Sequence, residues 1–87
     1  MCIFEKIAAK NSAIESADDI HTVIWFGDDS GGFVLAKHAG QFATWAVAAH
    51  DLSSYWGHYG LSLREAQFDL VDRAYGMEQL LDQPVSV

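Results

Sequence analysis

The sequence has little cysteine and little proline: Cys2 and Pro84 are the single examples among 87 residues. A lone cysteine excludes an internal disulfide and a zinc site built on pairs of cysteines. Residues 1–7 lack the basic residues and the long apolar run of a signal peptide, and no segment reaches the roughly 20 apolar residues of a membrane span. These absences predict a cytoplasmic protein that is neither exported through a standard signal nor embedded in a membrane.

Basic side chains are scarce as well. Five Lys and Arg stand against 12 Asp and Glu, which gives a formal net charge of -7 at pH 7. An acidic surface repels the phosphates of nucleic acids and of anionic lipids and attracts basic protein surfaces, although many soluble proteins are acidic without such a role. We therefore expect no direct contact with nucleic acid or membrane, and a basic protein surface as the favoured partner.

Apolar residues, in contrast, are abundant, since 51% of the chain is hydrophobic and 13% is aromatic. A disordered chain is poor in such residues and rich in charge, so this composition predicts a folded core. A chain of this length has room for one core and little more. We expect residues 1–87 to form a single domain.

Four short segments rich in β-branched and aromatic residues are typical of strands, and the glycines, aspartates and serines between them are typical of turns. The predicted strands are residues 20–26, 33–37, 41–49 and 55–59. In the third segment, the alanines and the spacing of the apolar residues also fit a helix. Thr44, Trp45 and Val47 favour a strand, which is the prediction for this segment.

The clearest element of the sequence is a C-terminal helix, predicted over residues 62–81. Ser62 and Glu65 have the spacing of a capping box, in which each side chain binds the free backbone amide of the other residue. A stripe of apolar residues follows at helical spacing, widened by Val71. The stripe consists of Ala66, Leu70, Ala74, Met77 and Leu81.

A short helical segment is predicted at the N-terminus, because apolar residues recur at loose helical spacing in residues 3–17. Asn11 and Ser12 interrupt it, and Ser12 with Glu15 has the spacing of a second capping box. Together, these elements predict an α+β fold. It is an antiparallel meander of about four strands, packed by the C-terminal helix, with the short helical segment at the N-terminus.

Histidines are the main candidates for catalysis or metal binding. His50 and His58 flank the predicted connection between the third and fourth strands and can meet across them, and Asp51 lies beside His50. An acid–base pair or a metal site there is one hypothesis. The sequence has no pair of histidines at the i, i+4 spacing, no phosphate-binding loop and no nucleophile motif, so we expect no cofactor and no metal.

Acidic residues fall in three groups that a basic partner can contact. The first precedes the first strand, the second lies in the first hairpin loop, and the third is expected on the outer face of the C-terminal helix. In that order they are Asp18 and Asp19, Asp28 and Asp29, and Asp69, Asp72 and Glu78. Carboxylates can replace phosphates in contacts with Lys and Arg. The hairpin pair also has an ordinary role, since aspartate stabilises turns.

Aromatic residues fall on both faces of the predicted sheet, because side chains alternate between the faces along a strand. One C-terminal helix covers only one of these faces. Either the N-terminal segment covers the other face, or that face is an exposed surface that binds a partner or a second copy of the chain. Trp25 and Trp56 are the residues expected to contact a partner there.

Three consecutive motifs carry a resemblance to known proteins. They are Thr44-Trp45, then Tyr55-Trp56-Gly57-His58-Tyr59, then Glu65-Ala66 at the start of a helix that reaches Arg73. In this order, across residues 41–75, they resemble the C-terminal pattern of small uncharacterised proteins of bacteria, phages and plasmids. The chain is also similar in its general character to anti-CRISPR and other anti-defence proteins of mobile elements. The shared features are small size, acidic charge, a single domain and the lack of a catalytic motif.

These observations lead to a hypothesis about function. The chain is a non-enzymatic inhibitor that binds a basic, nucleic-acid-handling surface of a host protein or nucleoprotein complex, as the likeness to anti-CRISPR proteins implies. Two alternatives stay open at this point. The chain is a self-associating protein, a homodimer through its aromatic sheet face, or it is a small enzyme or metal-binding protein that uses His50, Asp51 and His58.

Overall fold

The structure, a computed structural model, describes the backbone of residues 3–27 and 29–82 and the side chains of residues 3–27 and 29–76. Its elements in chain order are helix α1 (Ile3–Lys10), a single 3-10 turn (Ala17–Asp19), strands β1 (Ile20–Gly27), β2 (Gly31–His38), β3 (Gln41–Val47) and β4 (Ser54–Leu61), and helix α2 (Leu63–Asp82). None of the helices in these residues is long and apolar enough to cross a membrane.

The four strands form one antiparallel sheet in the order β1-β2-β3-β4, so each strand pairs with its neighbour in sequence. The α+β meander predicted from the sequence is therefore confirmed. β3, the segment with mixed signals, is a central strand that pairs with β2 on one side and β4 on the other. Ala39 and Gly40 form the two-residue turn from β2 to β3. Their φ angles are 51° and 78°, and this type of hairpin turn requires a positive φ at both positions.

One face of the sheet packs against the N-terminal segment. Ile7 of α1 is fully buried there. The cluster around it consists of Ile14, Ile20, Val34, Ala36, Ala43, Trp45 and Val47. The N-terminal segment thus covers the second sheet face, which was one of the two alternatives, and this face is not an open aromatic surface.

The other face of the sheet packs against α2. Ala66 and Leu70 are buried against Leu35 of β2, as their helical spacing predicts. Val71 was expected to widen this stripe, and that expectation is wrong, because its side chain is 60% exposed. Each residue turns about 100° around a helix axis, which carries the residue after Leu70 away from the sheet. The side chains of Met77 and Leu81 lie outside the described residues.

The N-terminal segment contains α1 and no second α-helix within the described residues, so the capping-box spacing of Ser12 and Glu15 does not start a helix. Oδ1 of Asn11 accepts a hydrogen bond from the backbone amide of Ala13 at 3.0 Å, and this local turn competes with a helix. Ser16 instead caps the 3-10 turn, because its Oγ accepts a hydrogen bond from the amide of Asp18 at 3.2 Å.

The capping box predicted at the start of α2 is confirmed. The amide of Glu65 donates to Oγ of Ser62 at 3.1 Å, and the amide of Ser62 donates to Oε1 of Glu65 at 3.0 Å. The hydrogen bonds from Ser62 lower the pKa of the Glu65 carboxyl.

We expect Ser62→Ala to lower the free energy of unfolding by about 1 kcal/mol, the usual contribution of such a cap. Urea denaturation measures the loss. Ser62→Thr keeps a hydroxyl that can accept the same hydrogen bond, so it should lose less. Equal losses in the two variants would show that the cap does not stabilise the helix.

Candidate functional site

β4 is an edge strand with an irregular register. Across β3, Thr44 pairs with His58 and Ala46 with Tyr55, so β4 contains an extra residue between the two pairs. A bulge of this kind bends a strand and redirects its side chains. Trp56, within the bulge, has a φ of 52°, in the left-handed region that bulky residues avoid. Its side chain is 75% exposed, so burial of the ring does not offset this strain.

Arg73 of α2 fixes the backbone of Trp56. Its Nη2 donates a hydrogen bond to the carbonyl oxygen of Trp56, and its guanidinium lies 5.9 Å from the ring centroid of Phe33. The side chain of Arg73 is only 11% exposed, so this cation needs a charged partner. Asp69, one turn earlier on α2, provides it, because its Oδ2 accepts a hydrogen bond from Nε of Arg73 at 3.2 Å.

Asp69 also binds both neighbouring strands. The hydroxyl of Thr44, a fully buried residue of β3, donates to Oδ2, and Nδ1 of His58 on β4 lies 2.9 Å from both carboxylate oxygens. Burial alone would raise the pKa of Asp69, but the hydrogen bonds from Thr44, His58 and Arg73 outweigh it and lower this pKa. The prediction that Asp69 lies on the outer face of the helix is therefore wrong.

A groove lies beside this cluster. Its volume is about 400 Å³, and its lining includes Phe33, Ala46, Tyr55, Trp56, His58 and Arg73. We refer to it as the β4 groove. The rings of Tyr55 and Trp56 meet edge to face, with their centroids 4.9 Å apart, and both side chains are exposed. The groove therefore presents two aromatic rings to solvent.

Asp29 lies next to the β4 groove. It lines a second depression, of about 550 Å³, together with Ser30, His50 and Tyr55. Ser30 and Tyr55 also line the groove, so the two depressions are adjacent. Asp29 is exposed. Aromatic rings attract cations, and a carboxylate pairs with them, so this corner of the molecule is suited to a Lys or Arg side chain.

The other predicted acidic residues are dispersed over the molecule. Asp18 and Asp19 lie in the 3-10 turn before β1, whereas Asp29 lies beyond the end of β1, and a strand of this length spans about 26 Å. Asp72 is exposed on α2. The described acidic residues therefore do not form one patch. Two predicted residues lie outside what is described: Asp28, and Glu78 apart from its backbone.

Trp25 and Trp56, which were expected on one aromatic surface, lie apart. β1 and β4 are the opposite edges of the sheet. Trp25 is half-buried and packs against the core on the α1 side, while Trp56 lines the β4 groove with Arg73 of α2. The expectation of a single patch is therefore wrong, and of these two residues Trp56 is the one at the candidate site.

The residues of the enzyme hypothesis are separated as well. His58 contacts Asp69, whereas Nε2 of His50 lies 3.6 Å from Oδ2 of Asp51 in the loop before β4. Asp51 accepts hydrogen bonds from the amide and the hydroxyl of Ser53, which lower its pKa and stabilise the turn. In the part of the chain that the structure describes, no three potential metal ligands form a cluster. The structure therefore does not bring His50, Asp51 and His58 together.

Sequence reasoning missed the residues that support the groove, above all Thr44 and Arg73. One signal was present, since Asp69 and Arg73 have the i, i+4 spacing at which opposite charges pair on a helix.

The chain matches no protein-family model, no curated protein and no solved structure. Function is therefore inferred from the chemistry of the β4 groove and its surroundings.

Proposed function

We propose that this protein is a non-enzymatic inhibitor that binds a basic protein surface through the β4 groove and Asp29. One observation carries the proposal: Trp56 is exposed, and its left-handed backbone is held by a hydrogen bond from Arg73. Residues in such conformations cost of order 1 to 3 kcal/mol and concentrate at functional sites. A ring that is exposed in the free protein gains burial on contact with a partner.

The charges support a cationic partner. Among the residues that the structure describes, Asp69 is the one carboxylate in an ion pair with Lys or Arg, which leaves the exposed carboxylate of Asp29, beside the groove, for an external contact. The net charge of -7 would steer a basic surface towards the protein. In the complex, Asp29 pairs with a Lys or Arg of the partner, and the groove contacts the stem of that side chain.

Basic surfaces of this kind are typical of proteins that handle nucleic acids. An acidic protein bound there places carboxylates where phosphates would bind and so keeps nucleic acid away. We therefore propose a host protein or nucleoprotein complex of a defence system as the target, and a mobile element as the source of the inhibitor. The small size, the charge and the likeness in kind to anti-CRISPR proteins support this proposal.

Two substitutions test the groove. Trp56→Gly removes the ring and relieves the positive φ, so the variant should stay about as stable as the wild type while its affinity falls by about tenfold or more. Asp29→Asn removes one charge at nearly constant shape and should make binding less dependent on salt. Binding is measured by calorimetry against the target that the immobilised protein captures from bacteria that carry defence systems.

Asp72→Asn is the matched control, because it removes the same charge from an exposed residue of α2 that does not line the groove. Duplex DNA should compete with the protein for the purified target, whereas the protein alone should bind no DNA in a gel-shift assay. Binding that is insensitive to salt and to DNA, or that survives Trp56→Gly unchanged, would contradict the proposed function.

A further inference from the structure

His58 of β4 belongs both to the Asp69 cluster and to the lining of the β4 groove. Its Nδ1 lies 2.9 Å from both carboxylate oxygens of Asp69, and the same side chain lines the groove together with Trp56 and Arg73. The side chain is 54% exposed. One ring nitrogen of His58 is therefore held by the cluster, while the ring stays accessible to a group bound in the groove.

The contact with Asp69 fixes the position of the hydrogen on a neutral His58 ring. Burial would raise the pKa of Asp69, but its hydrogen bonds outweigh this effect and lower the pKa, so the carboxylate is ionised at neutral pH. An ionised carboxylate only accepts hydrogen bonds, so Nδ1 of His58 must donate. A neutral imidazole carries a single hydrogen, which leaves a lone pair on Nε2. The hydrogen bonds of His58 to the described residues all use Nδ1, so Nε2 can accept one from a partner.

The charges that face His58 are balanced when its ring is neutral. From α2, the carboxylate of Asp69 faces the ring, and the guanidinium of Arg73 offsets its charge. The neighbour on β3, Thr44, and the nearby Tyr55 of β4 contribute hydroxyl groups rather than charges. A protonated His58 would therefore add a positive charge to the groove that the cluster does not offset.

We propose that His58 is a specificity-determining residue of the β4 groove, whose neutral ring accepts a hydrogen bond at Nε2 from a Lys or Arg side chain of the partner. This inference rests on the proposed function, in which Asp29 pairs with one cation of a basic surface. His58 lines the groove but not the depression that contains Asp29, so it binds a second cation. Surfaces that bind nucleic acids carry several such side chains close together.

Binding through His58 should depend on pH. Histidine gains its second hydrogen between about pH 8 and pH 5. The protonated ring of His58 donates at Nε2 instead of accepting and carries a positive charge, and both changes oppose a cation in the groove. Carboxylates of Asp and Glu ordinarily stay ionised down to about pH 5, so the acidic charge of the protein persists over this range. The partner should therefore bind at neutral pH and dissociate in mild acid.

Nitrogen-15 NMR of the full chain with labelled histidine tests the tautomer without any partner. At about pH 8, Nδ1 of His58 should carry the hydrogen and Nε2 should carry none. Tetralysine is the probe for binding, and it should shift the Nε2 signal at about pH 8 but not at about pH 5. Its ε-acetylated form, which has no charged side chains, should shift the signal far less. A hydrogen on Nε2 of the neutral ring, or a signal that tetralysine does not shift, overturns the proposal.

Two variants separate the acceptor from the charge. His58→Gln keeps an acceptor that cannot be protonated, so tetralysine should bind about as tightly as to the wild type, without the dependence on pH. His58→Lys places a permanent cation in the groove and should weaken binding by about tenfold or more in both conditions. His21→Gln, on the opposite edge strand, is the matched control and should keep the pH dependence of the wild type. Circular dichroism should show intact folding, because both histidines are exposed.

Failure of this inference can be told apart from failure of the proposed function. Suppose that binding of the purified target falls in Trp56→Gly but keeps its pH dependence in His58→Gln. The role of His58 is then overturned, and the proposed function stands. Binding that Trp56→Gly leaves unchanged contradicts the proposed function instead, while the Nε2 signal of the free protein reports on His58 independently of any target.

Discussion

Replacing Asp69 by alanine is expected to lower the free energy of unfolding by about 3 kcal/mol. The substitution leaves the guanidinium of Arg73, which is 11% exposed, without its carboxylate, and it leaves the hydroxyl of the buried Thr44 without its acceptor. Breaking a buried charge pair from one side costs about 3 to 5 kcal/mol, and the 26% exposure of the Asp69 side chain places this case at the lower end. Urea denaturation followed by circular dichroism measures the loss.

Asp69→Asn removes the charge of this side chain and keeps its shape. The amide keeps an acceptor for the hydroxyl of Thr44, so the loss should be smaller, about 1 to 2 kcal/mol. The pKa of Asp69 is lower in the folded than in the unfolded chain, so its ionised form stabilises the fold at neutral pH. That contribution is lost as the pH falls below about 4 and through the folded-state pKa.

The wild type and Asp69→Asn should therefore converge in stability as the solution is acidified. Asp72→Asn provides the comparison, because Asp72 is exposed on the same helix and should change stability by less than about 0.5 kcal/mol. A loss at position 69 no larger than at position 72, or a difference that does not shrink in acid, would contradict the role of the Asp69 cluster.

The second large effect is expected at Gly31, at the start of β2. This residue is buried with a φ of 73°, and a Cβ there would overlap the carbonyl oxygen of Val47 and lie 3.1 Å from the amide nitrogen of Ala49. Gly31→Ala should cost at least about 3 kcal/mol, because it combines a left-handed alanine with displacement of the β3 backbone. The urea midpoint measures this cost. If the variant does not fold, its circular dichroism signal is lost instead.

Gly40→Ala is the matched control for this substitution. Gly40 also has a positive φ, of 78°, but a Cβ there meets nothing within 4 Å. Only the backbone strain applies, so the expected cost is about 1 to 2 kcal/mol. If the two variants lost the same amount of stability, the approach of Gly31 to Val47 would not be the reason that a glycine is needed there.

The elements of the fold were predictable because each depends on residues that are close in sequence. β-branched and aromatic runs, the glycines between them and the capping box of Ser62 all act through local backbone preferences. Two local sequence patterns, at Ser12 and at Val71, did not give the structure that they indicate. At Ser12, the side chain of Asn11 forms a turn instead of a helix start, and at Val71 the sheet reaches only one side of the helix.

The candidate site was predictable only in part. Trp56 and Asp29 were selected from the sequence, for their aromaticity and their charge, and both lie at or beside the β4 groove. Asp69 was placed on the wrong side of α2, because an aspartate on a helix is normally solvated. Neither the ring of Tyr55 nor the cation of Arg73 was linked to Trp56, since the extra residue in β4 that brings them together has no local signature.

The sequence by itself therefore determined the α+β class, the order of the strands, the capped C-terminal helix and the acidic charge, because these are set by composition and by neighbours along the chain. Only the tertiary structure decided that Asp69 is half-buried against β3 and β4, that Trp56 is exposed with a positive φ, and that Trp25 lies at the opposite edge of the sheet. The deciding contacts join Thr44 with Asp69, 25 residues apart, and Trp56 with Arg73, 17 residues apart. Contacts over such separations form only when packing brings β3, β4 and α2 together.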